Sequence, residues 1–281
     1  GGAYDIYTYD LVYEHFGPFY NVPGARGLRK DYEGFTATGY MEHEIHSLNA
    51  SLAGYHDNVD SDPYYSRVNS LYGTLGYKYY GFDSFILGFD YAKGADRSSD
   101  EPEEDTERRL DTDILGLNMG YILGSFSLDL YGQYSNQNDR TFDDLDTSLT
   151  TVTISPAYSL ETFSVFSSFS LNQSKDHNTD VRTDTYTITL DLLGAMFASR
   201  VTYELGGTYD QTKSTDELVD TNGINGYCRI AYHLPHTSWN RLNSSISLEA
   251  NYGNREEQLS ELDNDTHSVV LSFSASLPYS L

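Results

Sequence analysis

The sequence predicts an all-β fold, a closed antiparallel up-and-down β-barrel of about fourteen strands that crosses a membrane. Apolar and polar residues alternate along most of the chain, short and long connections follow one another in turn, and helix signals are nearly absent. The last such stretch shows the pattern most clearly, because Val269, Leu271 and Phe273 alternate with Ser272 and Ser274. One face of that strand is therefore apolar and the other is almost entirely serine.

The composition excludes several classes of protein. The 281 residues carry 42 acidic and 17 basic side chains, a formal net charge of -25, so nucleic acid is not expected as a partner. Only 38% of the residues are hydrophobic and the mean hydropathy is -0.51, which is too polar for a large packed core. The 26 tyrosines and 13 phenylalanines nevertheless argue against disorder. No run of 18 apolar residues is present, so a helical membrane span is excluded.

The first seven predicted strands repeat this two-residue alternation. In the fourth, Leu71, Leu75 and Tyr77 alternate with Ser70 and Lys78. These seven strands are predicted at 7–14, 35–42, 48–55, 70–79, 84–91, 115–121 and 125–133.

The next seven strands follow the same rule. In the eleventh, Val201, Tyr203 and Leu205 alternate with Thr202 and Glu204. These seven are predicted at 152–158, 163–171, 185–192, 201–209, 224–233, 241–252 and 268–277.

The connections alternate in length. Long polar connections follow every odd-numbered predicted strand, at 17–30, 56–63, 93–109, 135–146, 172–183, 211–222 and 253–266, and short turns follow the even-numbered ones. Short periplasmic turns, long extracellular loops and an even strand count are typical of outer-membrane barrels. The last strand then descends into the periplasm, which places both termini there. Residues 1–281 are expected to form a single barrel domain.

In this architecture the chain resembles the bacterial outer-membrane β-barrels, porin-like and with about fourteen strands. The resemblance covers essentially the whole chain and rests on no family motif. It implies a location in the bacterial outer membrane and contact with its lipid and lipopolysaccharide. Such proteins typically end in an aromatic residue that the assembly machinery reads, and here Tyr279 would stand in for it. The start at Gly1 fits a removed signal peptide or a segment cut from a longer protein.

The polar face of the predicted strands would line the lumen of the barrel. It collects Asp10, Glu14, Glu42, Glu44, Asp90, Asp129, Asp191, Glu204 and Glu249 against Lys78, Arg229 and Arg241. This surplus of acids predicts that the lumen favours cations and repels anions. The alternative is that the charges have no role in selectivity and are present because a water-filled lumen can solvate them. Four tyrosines point inward on the same register, either to stack against sugars or to narrow the barrel: Tyr40, Tyr72, Tyr131 and Tyr227.

A second group of tyrosines lies on the apolar face near predicted strand ends, where outer-membrane barrels carry girdles of aromatic residues at the two membrane interfaces. It comprises Tyr7, Tyr13, Tyr79, Tyr91, Tyr121, Tyr158, Tyr186, Tyr209, Tyr232 and Tyr252. The alternative reading is the ordinary enrichment of tyrosine in strands.

Neither a metal site, a cofactor nor enzymatic activity is expected. Cys228 is the only cysteine, and the acidic run from Asp100 to Asp105 lacks the spacing and the glycine of a calcium loop. Neither GxSxG nor HExxH is present, and the many serines follow the period of the wet face.

Three functions remain compatible with the sequence. The first is an outer-membrane channel for passive diffusion of small hydrophilic, preferentially cationic or neutral solutes through an acidic lumen. The second is an export conduit for polysaccharide or other cargo, coupled to a periplasmic domain or partner upstream. The third is an occluded structural or adhesive barrel that uses its extracellular loops.

Overall fold

A computed structural model describes residues 1–17, 31–101, 107–141, 146–234, 243–257 and 262–276 of the chain. Its strands form one fifteen-stranded sheet in which the order follows the sequence, and every pair with a defined register is antiparallel. The strands are β1 (Gly2–Tyr4), β2 (Tyr7–Phe16), β3 (Tyr32–His43), β4 (His46–Asp57), β5 (Arg67–Phe82), β6 (Phe85–Ser99), β7 (Arg109–Leu123), β8 (Phe126–Asp139), β9 (Thr147–Ser159), β10 (Phe163–Asp176), β11 (Arg182–Met196), β12 (Val201–Ser214), β13 (Asp220–His233), β14 (Asn243–Glu257) and β15 (Leu262–Ser276).

The all-β, antiparallel up-and-down architecture is confirmed, but the sheet has fifteen strands and not fourteen. The fourteen predicted strands correspond to β2 through β15. The additional strand, β1, turns back at Asp5, which has a φ of 54°, and pairs with β2 from Tyr4↔Tyr7 to Gly2↔Tyr9. Three residues are too few to show a period. The strand order of the described residues does not join β1 to β15, so these pairings do not show the predicted closure of the sheet.

Most strands are longer, and most long connections shorter, than predicted. The connection expected at 93–109 occupies only 100–108, because Lys93 to Ser99 continue to pair with β5. The connection expected at 211–222 shrinks in the same way, since Gln211 pairs with Asn222 and Lys213 with Asp220. In these extensions both faces are polar, so alternation of hydrophobicity no longer marks the strand although the backbone pairing continues.

The residues cluster into two compact units. The first contains residues 1–120, 131–151 and 174–181, and the second contains residues 121–130, 152–173 and 182–281. In the first unit, Leu48 pairs with Tyr77 and Tyr77 pairs with Phe89. In the second unit the same kind of row runs across four strands. Its members are Leu205, Cys228, Ala250 and Val269. Within each unit the register therefore sets apolar residues beside apolar residues, which confirms the two faces read from the sequence.

The apolar face is exposed in the isolated chain. Leu190 is 56% exposed and Leu271 is 73% exposed, whereas Ala231, at 7%, is the only buried hydrophobic residue in the part of the chain that the structure describes. Leaving one leucine side chain in water costs about 1.5–3 kcal/mol relative to burying it. A face built from such residues therefore needs an apolar surrounding, and a sheet without a packed core has this face available for lipid.

A charged collar begins where the apolar face ends, at the ends of the strands that carry the long connections. Lys93 lies 3.1 Å from Asp113 in the first unit. In the second unit Arg182 lies 2.7 Å from Asp184. Below this level the same face carries Tyr91 on β6 and Tyr186 on β11. The change from apolar to paired charged residues marks the edge of a hydrocarbon layer.

None of the described residues is helical, so the described chain contains no helix of a length and hydrophobicity suited to spanning a membrane.

Candidate functional site on the polar face of the sheet

Four predicted lumen residues lie side by side on the polar face of the second unit. Glu204 of β12 pairs with Arg229 of β13, and Arg229 pairs with Glu249 of β14. Asp191 of β11 pairs with Gly206, two positions along β12. Residues directly paired in an antiparallel sheet share a face, so these four side chains form one cluster, hereafter the acidic cluster.

The acidic cluster keeps an excess of negative charge. Arg229 Nη1 lies 3.8 Å from Glu204 Oε2, and both side chains are about half exposed. An exposed ion pair of this kind contributes about 0–1 kcal/mol. Because one arginine stands among three carboxylates, it does not neutralise the field that they produce.

A tyrosine spans the cluster above a glycine. Tyr227 of β13 donates a hydrogen bond of 3.0 Å to Asp191 Oδ1 on β11 and thus crosses the intervening strand β12. A Cβ atom on Gly206 would lie 2.2 Å from Asp191 Oδ1 and 2.5 Å from Tyr227 Cε1. The glycine therefore leaves room for the ring. Asn251 adds a bond of 3.0 Å from its Nδ2 to Glu249 Oε1. Sequence reasoning missed Gly206 and Asn251, because their roles depend on the register between strands.

In the first unit four rings form an aromatic row across four consecutive strands of the polar face. The ring centroids of Phe16 and Tyr32 are 5.2 Å apart, those of Tyr32 and Tyr55 are 6.4 Å apart, and those of Tyr55 and Tyr72 are 5.7 Å apart. Tyr72 was a predicted lumen tyrosine. The other three rings were not, although Tyr55 already stood on the polar side of its predicted strand.

Carboxylates hold two rings of the aromatic row. Tyr32 donates a hydrogen bond of 2.6 Å to Glu14 Oε2. Tyr72 donates one of 2.8 Å to Asp96 Oδ1, and Arg108 Nη2 lies 3.1 Å from Asp96 Oδ2. Since the Asp96 side chain is only 9% exposed, its two partners fix its position. The row is thus attached to acidic side chains on the strands β2 and β6.

The remaining predicted lumen residues are spread over the polar faces of the two units. In the first unit Asp10 pairs with Thr38 and Lys78 pairs with Ser47 across neighbouring strands. Tyr40 donates a hydrogen bond of 2.7 Å to Glu42 Oε2, and Asp90 accepts one of 3.1 Å from Asn118. Tyr131 donates a hydrogen bond to Gln133. Asp129 lies on β8 in the second unit. Glu44 lies in the turn between β3 and β4 with a φ of 44°, and Arg241 is outside the described residues.

Nine of the ten apolar-face tyrosines lie toward one end or the other of their strands. Those near the short turns are Tyr7, Tyr79, Tyr121, Tyr158 and Tyr232, and those toward the long connections are Tyr13, Tyr186, Tyr209 and Tyr252. Tyr91 lies near the middle of β6. Tyr91 donates a hydrogen bond of 2.9 Å to Asp113, so its hydroxyl is directed at the charged collar. A ring on the apolar side with its hydroxyl on the polar side is the arrangement typical of an interfacial tyrosine.

Two of the connections at the collar side are ordered by aspartates. The hydrogen bond from Lys175, 2.6 Å from Asp180 Oδ1, lowers the pKa of the Asp180 carboxyl. The hydroxyl of Ser214, followed by the backbone N–H of Leu218, lowers the pKa of the Asp216 carboxyl. Both carboxylates are exposed, and both act within hairpin connections.

The described residues contain no group of three or more histidine, cysteine, aspartate and glutamate side chains arranged to hold a metal ion. The polar face can instead attract cations through its carboxylates and exchange hydrogen bonds with polar solutes.

Comparison with known proteins yields structural matches only. No protein-family model matches the chain, and no curated protein matches it in sequence. A loop L8 deletion mutant of OmpT, an outer membrane protein of Vibrio cholerae, matches with 11% identity over 96% of this chain and 100% of that chain, at a TM-score of 0.43. In-vitro folded OmpT of the same organism matches with 12% identity over 97% of both chains, at 0.42. A bacterial polysaccharide outer membrane secretin matches with 12% identity over 98% and 90%, at 0.36.

These neighbours are all outer-membrane proteins. The resemblance of the chain to that class is supported by its own antiparallel sheet, whose strand order follows the sequence. At TM-scores below 0.5 the matches do not carry an activity to this chain. The apolar face, the collar and the alternating connections are those of a protein of the bacterial outer membrane, which is where this protein is located. It is in contact there with lipid.

The same comparison corrects the expectation that the chain is not an enzyme. That expectation came from absent sequence motifs, and resemblance to OmpT at 11–12% identity neither establishes an enzymatic activity nor leaves the exclusion standing.

Proposed function

We propose that the chain folds as a single barrel over residues 1–281, in which the sheet closes on itself, and that it is a channel for passive diffusion of small hydrophilic solutes with a preference for cationic or neutral ones. The observation that supports this most is the acidic cluster on the polar face. Closure would pair the outer backbone groups of the end strands, as a sheet in hydrocarbon requires.

The two faces support a wet interior. Lipid covers the apolar face, so the polar face with its serines, threonines and carboxylates has to be solvated from within. Carboxylates without full neutralisation are stable only where water reaches them, because an unpaired buried charge is costly. The half-exposed side chains of Glu204 and Arg229 fit that environment.

The charge balance of the acidic cluster supports a preference for cations. Asp191, Glu204 and Glu249 outnumber Arg229 on four adjacent strands. Rings of acidic side chains in a narrow path raise the local concentration of cations and lower that of anions. Neutral solutes would pass without this selection.

The apolar-face tyrosines and the charged collar support the proposed placement in the membrane. The tyrosines near both strand ends would lie at the two interfaces, and the collar would face the headgroups of lipopolysaccharide. Lipopolysaccharide is therefore the proposed partner on the outer surface.

Reversal potentials test the proposed channel. The refolded protein is inserted into a planar bilayer under a KCl gradient, and we expect a conductance whose reversal potential has the sign of cation preference. The combined change Asp191→Asn, Glu204→Gln and Glu249→Gln should move that potential toward zero, since it leaves only Arg229 charged in the cluster. The three-aspartate change Asp60→Asn, Asp180→Asn and Asp216→Asn removes the same charge from exposed connections and should move it much less. A folded protein without conductance, or one selective for anions, contradicts the proposal.

A further inference from the structure

The aromatic row is unlike the rest of the polar face. Phe16, Tyr32, Tyr55 and Tyr72 stand on the consecutive strands β2, β3, β4 and β5. Further along β4 and β5 the same face carries Ser51 and Thr74, joined by a hydrogen bond of 2.7 Å. One of the four is a phenylalanine, which cannot hydrogen-bond with a wet interior. Ring pairs stabilise a sheet by only about 0.5–1.5 kcal/mol each. Stability alone gives little reason to place all four on the wet face.

The row is pre-organised. The hydroxyls of Tyr32 and Tyr72 are held by Glu14 and Asp96 at 2.6 and 2.8 Å, at the two flanks of the row. Gly94 lies under the Tyr72 ring, because a Cβ atom there would be 2.8 Å from Tyr72 Cε1. Rings that are fixed before a ligand arrives lose little conformational entropy on binding.

We propose that the aromatic row is a binding strip for a linear oligosaccharide of neutral or amino-sugar units. A pyranose ring offers a flat C–H surface to an aromatic ring and hydroxyl groups around its edge. The row supplies rings, and the carboxylates of Glu14 and Asp96 beside it supply acceptors. Phe16 lies near-parallel to Tyr32, at 25°, and Tyr55 lies near-parallel to Tyr72, at 22°, whereas Tyr32 and Tyr55 meet edge to face at 76°. The row therefore offers two pairs of near-parallel rings to the sugar units.

The charges beside the strip select the kind of sugar. Arg108 is bound to Asp96 at 3.1 Å, and Glu14 is tied to a neutral hydroxyl. An amino sugar is therefore attracted and a uronic acid repelled. This inference rests on one part of the proposed function, a polar face that is open to water from at least one end, because a saccharide cannot otherwise reach the strip; it does not require a path that conducts through the whole barrel.

Calorimetry with defined hexasaccharides tests the strip on the folded protein in detergent micelles. The probes are the chitosan hexamer, which is cationic, cellohexaose, which is neutral, and the hexamer of galacturonic acid, which is anionic. We expect binding in the order cationic, neutral, anionic. Tyr32→Leu and Tyr55→Leu should each weaken it by about tenfold, whereas Tyr32→Phe and Tyr55→Phe should stay within about threefold, because the ring and not the hydroxyl stacks.

The control is Tyr134→Leu, which removes a tyrosine from the apolar face of β8, away from the strip, and should leave binding unchanged. Conductance in planar bilayers is measured on the same preparations. Conductance without binding of any hexasaccharide overturns the strip and leaves the channel. Binding that is lost in the leucine variants, in a protein without conductance, supports the strip and rejects the channel. Tightest binding of the galacturonic acid hexamer, or equal loss in the phenylalanine and leucine variants, overturns the strip as proposed.

Discussion

The apolar and polar faces of the same strands differ in how their side chains are held. On the apolar face of the second unit, Leu190, Leu248 and Leu271 are exposed and lie beside the residues paired with them. On the polar face, Tyr227 reaches across a whole strand to Asp191. The apolar face therefore tolerates a change of shape but not of polarity. The polar face accepts polar replacements, but its hydrogen bonds depend on the identity of the residue at each position.

A charge placed on the apolar face should produce the largest effect. Leu248→Arg in the middle of the apolar part of β14 should lower the free energy of unfolding by about 2–4 kcal/mol, because the guanidinium has to enter hydrocarbon. Ser247→Arg, one residue away on the polar face, should change it by about 0.5 kcal/mol or less. Urea titration of the protein refolded into lipid vesicles measures both. Equal costs for the two variants would contradict the assignment of the faces.

A matched pair of glycines shows how much space each face leaves. In Gly206→Ala the new Cβ meets Asp191 Oδ1 and the Tyr227 ring, so we expect a loss of about 1–3 kcal/mol and a shifted Tyr227. In Gly226→Ala the nearest atom is 3.8 Å away, and alanine should be neutral or stabilising by up to about 1 kcal/mol. The same vesicle titrations compare them. A larger loss for Gly226→Ala would show that Gly206 does not make room for the tyrosine.

The sequence predicts the faces well because a period of two puts every apolar side chain of a strand on one side. Cys228, for example, alternates with the polar residues of its strand, and the register sets it beside Leu205 and Ala250. It could not predict contacts that depend on the stagger between strands. Tyr32 pairs with Asp57 while Tyr55 pairs with Gly34, so the two rings meet only along a diagonal. The one available signal was that Phe16 and Tyr55 are aromatic at positions where the alternation calls for polar residues.

Removing the hydroxyl of Tyr227 distinguishes the effect of its hydrogen bond to a carboxylate from the effect of its ring. Tyr227→Phe keeps the ring above Gly206 but deletes the donor to Asp191, which should cost about 0.5–1.5 kcal/mol. The Asp191 carboxylate then loses a partner, so the reversal potential should move further toward cation preference. Tyr209→Phe on the apolar face is the control and should leave the potential unchanged. A shift toward anions in Tyr227→Phe would contradict this role for the hydroxyl.

The smallest expected effect is a pH dependence in the connection between β10 and β11. The hydrogen bond from Lys175 lowers the pKa of Asp180 from its ordinary value of 3.8. The resulting stabilisation is fully present above that ordinary pKa and is lost as the pH falls through the lowered one. The protection of the amides of residues 176–181 from hydrogen exchange, relative to their intrinsic exchange rate at each pH, should therefore fall below about pH 3.8. The backbone N–H groups of Asn178 and Thr179 also lower the pKa of Asp176 in this connection, so Asp180→Asn should weaken the dependence and the double change with Asp176→Asn should remove it. An unchanged profile in the double variant would assign the dependence to other groups.

Cysteine accessibility tests the central claim, that the polar face lines a water-filled path and the apolar face does not, most directly. In a Cys228→Ser background, single cysteines replace Thr208 and Ser247 on the polar face, and Leu190 and Leu248 on the apolar face. A cationic methanethiosulfonate reagent is then added to protein conducting in a planar bilayer. We expect a stepwise fall in current for the two polar-face cysteines and no change for the two apolar-face cysteines. A fall in current for the apolar-face cysteines alone, or a current that stays unchanged when the polar-face cysteines are treated, would contradict the account.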